Sequence, residues 1–211
     1  WTMTGNSNVS NLINGSSLIQ FTPPVGDPTL LSSYKTLTAV NYTGQGGTLG
    51  LNTFLGADGS PSDRLVINGG SATGSSSLRI TNAGGPGAQT VANGIQVVQA
   101  INGGTSASGA FSLQGGSITA GAFDYFLFKG GVSQGSQNSW FLRSSLVAPP
   151  ITPITPDTPT PPPEAAPGTP PLPTPVPGGP PIPLFQPGVA VMSVVPSVAR
   201  TLGLLTLATF N

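Results

Sequence analysis

Paired glycines interrupt the first 147 residues of the chain repeatedly, and each pair lies at or near the end of a short apolar run. Five such pairs are Gly69-Gly70, Gly84-Gly85, Gly103-Gly104, Gly115-Gly116 and Gly130-Gly131. Two consecutive glycines permit positive φ angles and a close approach of neighbouring backbones, so each pair is typical of a sharp corner. No part of this region keeps an apolar period of 3.6 residues long enough to predict a helix. The glycine pairs therefore predict short strands joined at tight corners.

The apolar runs between these corners have the composition of β-strands. They are rich in β-branched and aromatic residues and are bounded by Gly, Asn, Ser and Asp. The predicted strands are Leu12–Ile13, Leu18–Phe21, Thr36–Tyr42, Thr48–Leu55, Arg64–Asn68, Ser77–Asn82, Ile95–Ile101, Phe111–Leu113, Tyr125–Lys129 and Trp140–Leu146. From Arg64 onward, where the paired glycines recur, the strands follow one another at about 13 to 18 residues, a spacing that suits a coil of stacked short strands.

Two all-β architectures satisfy this pattern. Asn-Gly pairs such as Asn14-Gly15 and Asn68-Gly69 would suit the hairpin turns of a β-sandwich. The strands are short, however, and polar turn residues recur at similar places, as they would at the corners of a coil. We therefore predict a right-handed parallel β-helix for residues 1 to about 100. For residues 109–147, where aromatic strands follow one another closely, we predict antiparallel pairing.

The composition changes after residue 147. Most of the 24 prolines lie in residues 148–187, and an apolar tail follows at 188–211. A proline-rich segment of this kind is typical of an extended polyproline II linker. In the tail, a helical stripe predicts a short C-terminal helix, and periodicity alone favours an ordinary amphipathic helix packed on a core. The stripe is formed by Val191, Val195, Val198, Leu202 and Leu205.

The side chains that most enzymes and metal sites need are missing. Without histidine or cysteine the chain can form neither a Ser-His-Asp triad nor a thiol nucleophile nor the usual zinc site. Six basic residues, scattered singly and balanced by six acidic ones, argue against nucleic acid as a partner. Asp58 and Asp63 flank a turn and could share a hard cation, but such residues more often bond backbone N–H groups. We expect no catalytic residue, cofactor or metal, and no enzymatic activity.

Aromatic side chains are concentrated in one third of the chain. Such a cluster could form a sugar or peptide platform. The interpretation that we prefer is a hydrophobic cap over the end of the β-helix, where an uncovered turn would leave hydrogen-bonding edges bare. The predicted cap residues are Phe111, Phe123, Tyr125, Phe126, Phe128, Trp140 and Phe141.

Several motifs keep the order and spacing of a known family across residues 34–147. They include Tyr42-Thr43-Gly44-Gln45-Gly46-Gly47, Asp58-Gly59-Ser60-Pro61-Ser62-Asp63, Asn82-Ala83-Gly84-Gly85-Pro86-Gly87 and Gly121-Ala122-Phe123-Asp124-Tyr125. In this arrangement the chain resembles the C-terminal passenger region of pertactin-like autotransporters, the autochaperone. Residues 182–210, with Ile182-Pro183-Leu184-Phe185, resemble the junction at which such proteins enter their β-barrel.

The resemblance implies a function and a location. The chain would be a folding and display module of a passenger that a Gram-negative bacterium exposes at its surface or secretes. Its partner would be the autotransporter β-barrel of the parent protein, expected after Asn211, with the C-terminal end at the outer membrane. The resemblance also implies that the apolar helix of the tail lodges in the barrel pore, and the residues of this pore helix would be Val195, Val198, Leu202 and Leu205. The alternative is an adhesin that binds a host or extracellular-matrix ligand through the β-helix or the aromatic cluster.

Overall fold

The computed structural model describes residues 1–147, 162–176 and 178–189, and this part of the chain is almost entirely β-structure. Helical residues within it are limited to a 3₁₀ turn at Leu31–Ser33 and to positions 187–189. None of its helices is long and apolar enough to cross a membrane. In chain order the strands are β1 (Thr2–Met3), β2 (Ser7–Gly15), β3 (Leu18–Phe21), β4 (Thr36–Thr53), β5 (Arg64–Asn68), β6 (Ser71–Asn82), β7 (Ile95–Ile101), β8 (Thr105–Ser106), β9 (Phe111–Leu113), β10 (Ile118–Ala120), β11 (Phe123–Lys129), β12 (Trp140–Arg143), β13 (Ser145–Leu146), β14 (Glu164–Ala165) and β15 (Ile182–Pro183).

The first nine strands wind into a parallel β-helix of about three turns, which confirms the predicted fold class. Strands β2 and β3 stack on β4, which stacks on β5 and β6, and these stack in turn on β7, β8 and β9. Register partners on neighbouring turns are 30 positions apart for Ser7 and Leu37, and 33 apart for Leu65 and Val98. One turn therefore holds two or three of the predicted strands.

Apolar side chains from successive turns stack into ladders inside the coil. One ladder joins four register partners, all at most 6% exposed: Ile19, Leu49, Leu78 and Leu113. Because parallel in-register strands place equivalent side chains above one another, each turn covers the apolar side chains of its neighbour. The interior of the coil is thus one continuous hydrophobic core.

Strand β4 continues through a corner of the coil, and glycine residues at this corner let neighbouring turns approach each other closely. A Cβ added at Gly44 would lie 2.5 Å from the carbonyl oxygen of Ser75 on the next turn. Gly74, with a φ of +76°, faces Gly44 equally closely. Because any side chain at this position would push the two turns apart, Gly44 and Gly74 are required for the stacking.

The pairing changes direction after the last turn of the coil. Strand β12 pairs antiparallel with β7, β11 with β12, and β10 with β11, so that a small antiparallel sheet continues one face of the β-helix. We call residues 118–146 the cap. The predicted antiparallel pairing is observed here, but Phe111–Leu113 still pairs parallel with β6. Aromatic content alone did not separate this strand from those of the cap.

Part of the predicted linker packs against the cap. We call residues 162–176 and 178–189 the strap. Its strand β14 pairs with β11, and β15 pairs with β13. This part is therefore in contact with the core rather than a free spacer, while the boundaries of the three predicted segments, 1–147, 148–187 and 188–211, stay predictions. The predicted pore-helix residues Val195, Val198, Leu202 and Leu205 lie outside the described residues.

Candidate folding cap

Three of the predicted cap residues fill the end of the coil. Phe111, Tyr125 and Trp140 are fully buried in the main core. The rings of Phe111 and Trp140 meet edge to face with their centroids 5.4 Å apart, and Tyr42 of an earlier turn lies 5.5 Å from Phe111. Trp140 Nε1 donates a hydrogen bond of 2.9 Å to Ser106 Oγ, so its polar atom is satisfied inside the core.

The hydroxyl group of Tyr125 ties the cap to two loops of the β-helix. It lies 2.8 Å from the carbonyl oxygens of Gly56 and Ala88, and it accepts the Ala88 N–H at 2.8 Å. Gly56 follows β4 and Ala88 follows β6, so one phenol connects consecutive turns. Burial raises the pKa of Tyr125, which keeps the hydroxyl protonated as a donor.

The other predicted cap residues lie outside this cluster of three aromatic rings. Phe126 and Phe128 form a second cluster with Leu146 and Leu184 of the strap. Phe123 is half-buried, and its ring centroid lies 5.2 Å from that of Phe185.

Phe141 is 4% exposed and is the register partner of Gln96. The seven aromatic side chains thus do not form one exposed platform. Their role as a cap stays a prediction.

Asp63 is a buried carboxylate at the point where one turn of the coil meets the next. Its Oδ1 accepts the backbone N–H of Lys35 at 2.8 Å. Its Oδ2 accepts the backbone N–H and the side-chain amide of Asn52 at 2.8 and 2.7 Å. The Lys35 ammonium group donates instead to the carbonyl oxygens of Thr22 and Pro23. The beginning and the end of β4 and the loop before it are therefore joined through one hydrogen-bonded network.

Asp58 holds a different loop. Its two oxygens accept the backbone N–H groups of Val91, Ala92 and Gly94 at 2.6, 3.0 and 2.7 Å, just before β7 begins. Both aspartates thus bond backbone N–H groups, as interpreted from the sequence, and each has its own set of donors. Among the described residues there is no group of three or more His, Cys, Asp or Glu side chains that could hold a metal ion.

Arg143, which the sequence analysis did not single out, is buried beneath the strap. It is 1% exposed, and its Nε and Nη2 have no hydrogen-bond partner in the described part of the chain. Its Cζ lies 5.7 Å from the centre of the Phe128 ring, a cation–π contact. Burial lowers the pKa of Arg143 to about 10, partly offset by the negative charge of Asp58. The guanidinium group therefore stays charged at neutral pH, with no direct counter-ion among the described residues.

We expect Arg143→Met to raise the free energy of unfolding by roughly 1–2 kcal/mol at pH 7, because it replaces a buried charge that has no counter-ion among the described residues by an apolar side chain of similar volume. The folded-state pKa is depressed, so the cost is present below about pH 10 and fades at higher pH. Urea denaturation at pH 7 and pH 10.5 measures both effects. Arg79→Met, at an exposed position, is the matched control and should stay within about 0.5 kcal/mol. A loss of stability in Arg143→Met would mean that the guanidinium group is a structural anchor.

A family model and several known proteins match a large part of the chain. The family model for Autochaperone Domain Type 1 matches residues 7–127. The chain is 44% identical over 116 residues to the Adhesin BmaC autotransporter of Brucella suis biovar 1 (strain 1330), a match of 52% of this chain and 3% of that protein. It is 39% identical over 121 residues to the Autotransporter adhesin AIDA-I of Escherichia coli, covering 57% and 9%. It is 37% identical over 152 residues to the uncharacterized protein YuaQ of Escherichia coli (strain K12), covering 68% and 11%.

The chain thus spans between 3% and 11% of the length of these three relatives. The family match, in contrast, includes the β-helix from β2 onward and reaches Leu127 in β11 of the cap. The chain belongs to the autochaperone domain type 1 family, as part of a passenger that a Gram-negative autotransporter displays at the cell surface or secretes.

Proposed function

We propose that the chain is a non-enzymatic folding module in which the cap closes the β-helix and nucleates the stacking of its turns. One observation carries this proposal: β12 covers the edge of β7, while Trp140 fills the coil behind it. The edge of the last turn would otherwise present unpaired N–H and C=O groups beside an open core. Because each turn gains stability from its neighbour, a preformed end gives the next turn a surface on which to fold.

Refolding kinetics test the nucleating role. After dilution from denaturant, pulsed hydrogen exchange should find the amides of β7, β11 and β12 protected before those of β2 and β3. Partners in β11 and β12 lie 11 to 17 positions apart, fewer than in a full turn of the coil, so these strands pair at a smaller entropic cost. Strand β7 then gains a preformed partner in β12. Simultaneous protection of all strands, or earlier protection of β2, would contradict nucleation by the cap.

The partners of the parent protein follow from this role. We propose that the passenger is attached to the β-barrel of its own polypeptide, with the C-terminal end of this chain at the outer membrane. The relatives named as autotransporters support this arrangement. The even balance of acidic and basic residues gives no support to a nucleic-acid partner.

The second candidate function is adhesion. Two relatives carry the word adhesin in their names, and this favours a host or extracellular-matrix ligand for the parent protein. The burial of Phe111, Tyr125 and Trp140 disfavours the aromatic cluster as the binding surface, since a platform must expose ring faces. Binding of the isolated chain to matrix proteins or cells would favour adhesion by the β-helix itself.

A further inference from the structure

The strap is held on the cap by short strands. Strand β14 pairs two residues with the end of β11 and places Glu164 opposite Lys129. Strand β15 pairs two residues with β13, and Ser145 faces Pro183. Two-residue strands contribute few hydrogen bonds, so such a segment opens at a much lower free energy than the core of the β-helix.

Few side chains anchor the strap. Leu184 and Ala166 are 7% and 4% exposed, and Leu184 packs on the second cluster of the cap. Phe185 stacks on Phe123 but remains 50% exposed. A cavity of about 310 Å³ remains between the cap and the strap, lined by Arg143, Pro163 and neighbouring residues. The contact is specific at a few points and loosely packed elsewhere.

The surface beneath the strap has the features of a groove for β-strand addition. Main-chain groups of the cap bond the strap directly: the Ser144 carbonyl accepts Leu184 N–H at 2.8 Å, and the Asp124 N–H donates to the Leu184 carbonyl at 2.9 Å. In another part of the strap, the Ala166 N–H donates a hydrogen bond of 2.9 Å to the Leu127 carbonyl of the cap. In this mode of recognition, backbone hydrogen bonds give affinity and a side-chain pocket gives selectivity. The second cluster of the cap supplies that pocket for Leu184.

We propose that this groove also takes the strap of a second copy of the chain, in exchange for its own. A second copy offers the same backbone groups, the same leucine and the same Glu164 opposite Lys129, so exchange replaces each contact by an identical one. Fourteen residues, 148–161, lie between Val147 and the strap, and a chain of that length spans at most about 46–50 Å. A tethered strap has an effective concentration in the millimolar range, so its own groove wins in dilute solution. Exchange becomes visible when copies are concentrated or when it is trapped.

Disulfide trapping tests exchange in the full chain, which contains no cysteine of its own. Ser145 and Pro183 face each other in an antiparallel pair, where Cα atoms are within the range that a disulfide spans. A tagged chain carrying Ser145→Cys is mixed with an untagged chain carrying Pro183→Cys and oxidised slowly. A strap lying in the groove of the other copy holds these two sulfur atoms next to each other, whereas random collision brings them together only briefly. We expect a disulfide-linked heterodimer on non-reducing gels.

The matched control replaces the groove cysteine by Ser75→Cys, an exposed position on the β-helix. We expect at least about fivefold less heterodimer with this partner, because random collision lacks the local concentration of a docked strap. Adding Leu184→Asp to the Pro183→Cys chain should lower the yield to the control level, since the charge is excluded from the apolar pocket. Equal yields from the Ser75→Cys and Ser145→Cys partners would overturn strap exchange.

The double variant Ser145→Cys with Pro183→Cys separates exchange from docking. In dilute solution it should close an intramolecular disulfide and stay monomeric. Closure of this variant together with no heterodimer above control would show that the groove accepts only its own strap, and exchange would be wrong. Absence of closure would show that the strap does not dock on β13 at all, which removes the basis of the proposal.

Discussion

Trp140→Ala should lower the free energy of unfolding by roughly 3–5 kcal/mol and loosen turns of the β-helix that are distant in sequence. Trp140 is fully buried, packs edge to face on Phe111, and belongs to the strand that covers β7. Removing it leaves a cavity, unpairs Ser106 Oγ from its indole donor and weakens the contact of the cap with the last turn. A stacked coil transmits this loss from turn to turn. Hydrogen exchange at residues 36–82 should therefore accelerate.

Trp1→Ala is the matched control for this experiment. Trp1 is 54% exposed, and the chain has only these two tryptophans, so the control leaves Trp140 as the fluorescent reporter of the cap. We expect a change within about 0.5 kcal/mol. Phe126→Ala, in the second cluster, should loosen the strap and β11 as well as the turns. If Trp140→Ala accelerates exchange only in residues 109–147, these residues, which are the cap together with β9, form an independent domain, and adhesion becomes the better explanation of their aromatic side chains.

Local sequence patterns predicted the strands well but not their grouping into turns. Arg64–Asn68 and Ile95–Ile101 are predicted with the bounds that the structure has. The spacing of about 13 to 18 residues, however, separates strands within one turn, whereas stacked partners such as Ser76 and Phe111 lie 35 positions apart. Thr36–Tyr42 and Thr48–Leu55 were predicted as two strands and form most of one, because the glycines between them bend without ending the pairing. Pairing between turns is a non-local property that no short window contains.

The arrangement of the aromatic side chains in the candidate site could likewise be predicted only in part. A concentration of aromatic residues was visible in the sequence, but its division between the coil and the strap was not. Phe128 faces the strap while Trp140 faces the core, although the two strands are neighbours in one sheet. Which face a side chain takes depends on the register of β11 and β12, and a shift of one residue would reverse it. Arg143 could not be identified either, because its environment comes from the strap, whose docking the proline content did not predict.

Asp63→Ala should destabilise the chain by roughly 3–5 kcal/mol, about as much as loss of Trp140, although it removes only a small side chain. The carboxylate is fully buried and accepts the backbone N–H groups of Lys35 and Asn52 from opposite ends of β4. Without the carboxylate, the N–H groups of Lys35 and Asn52 stay buried but lose their hydrogen-bond acceptor. Each of them then costs the desolvation penalty of an unsatisfied polar group. Urea denaturation measures the change, and the amides of Lys35 and Asn52 should show the largest increase in hydrogen exchange.

Two variants show whether this effect belongs to the buried network at Asp63. Asp63→Asn keeps the shape of the side chain and one acceptor oxygen, but its NH₂ group then faces an N–H group that needs an acceptor. We therefore expect roughly half the loss of stability caused by Asp63→Ala. Asp27→Ala is the matched control, because Asp27 also accepts a backbone N–H, from Thr29, but lies on the surface where water can replace it. Its effect should stay within about 1 kcal/mol. If Asp63→Ala were no more harmful than Asp27→Ala, the ends of β4 would be held together by apolar stacking alone. The buried carboxylate would then be unnecessary for closing the turn.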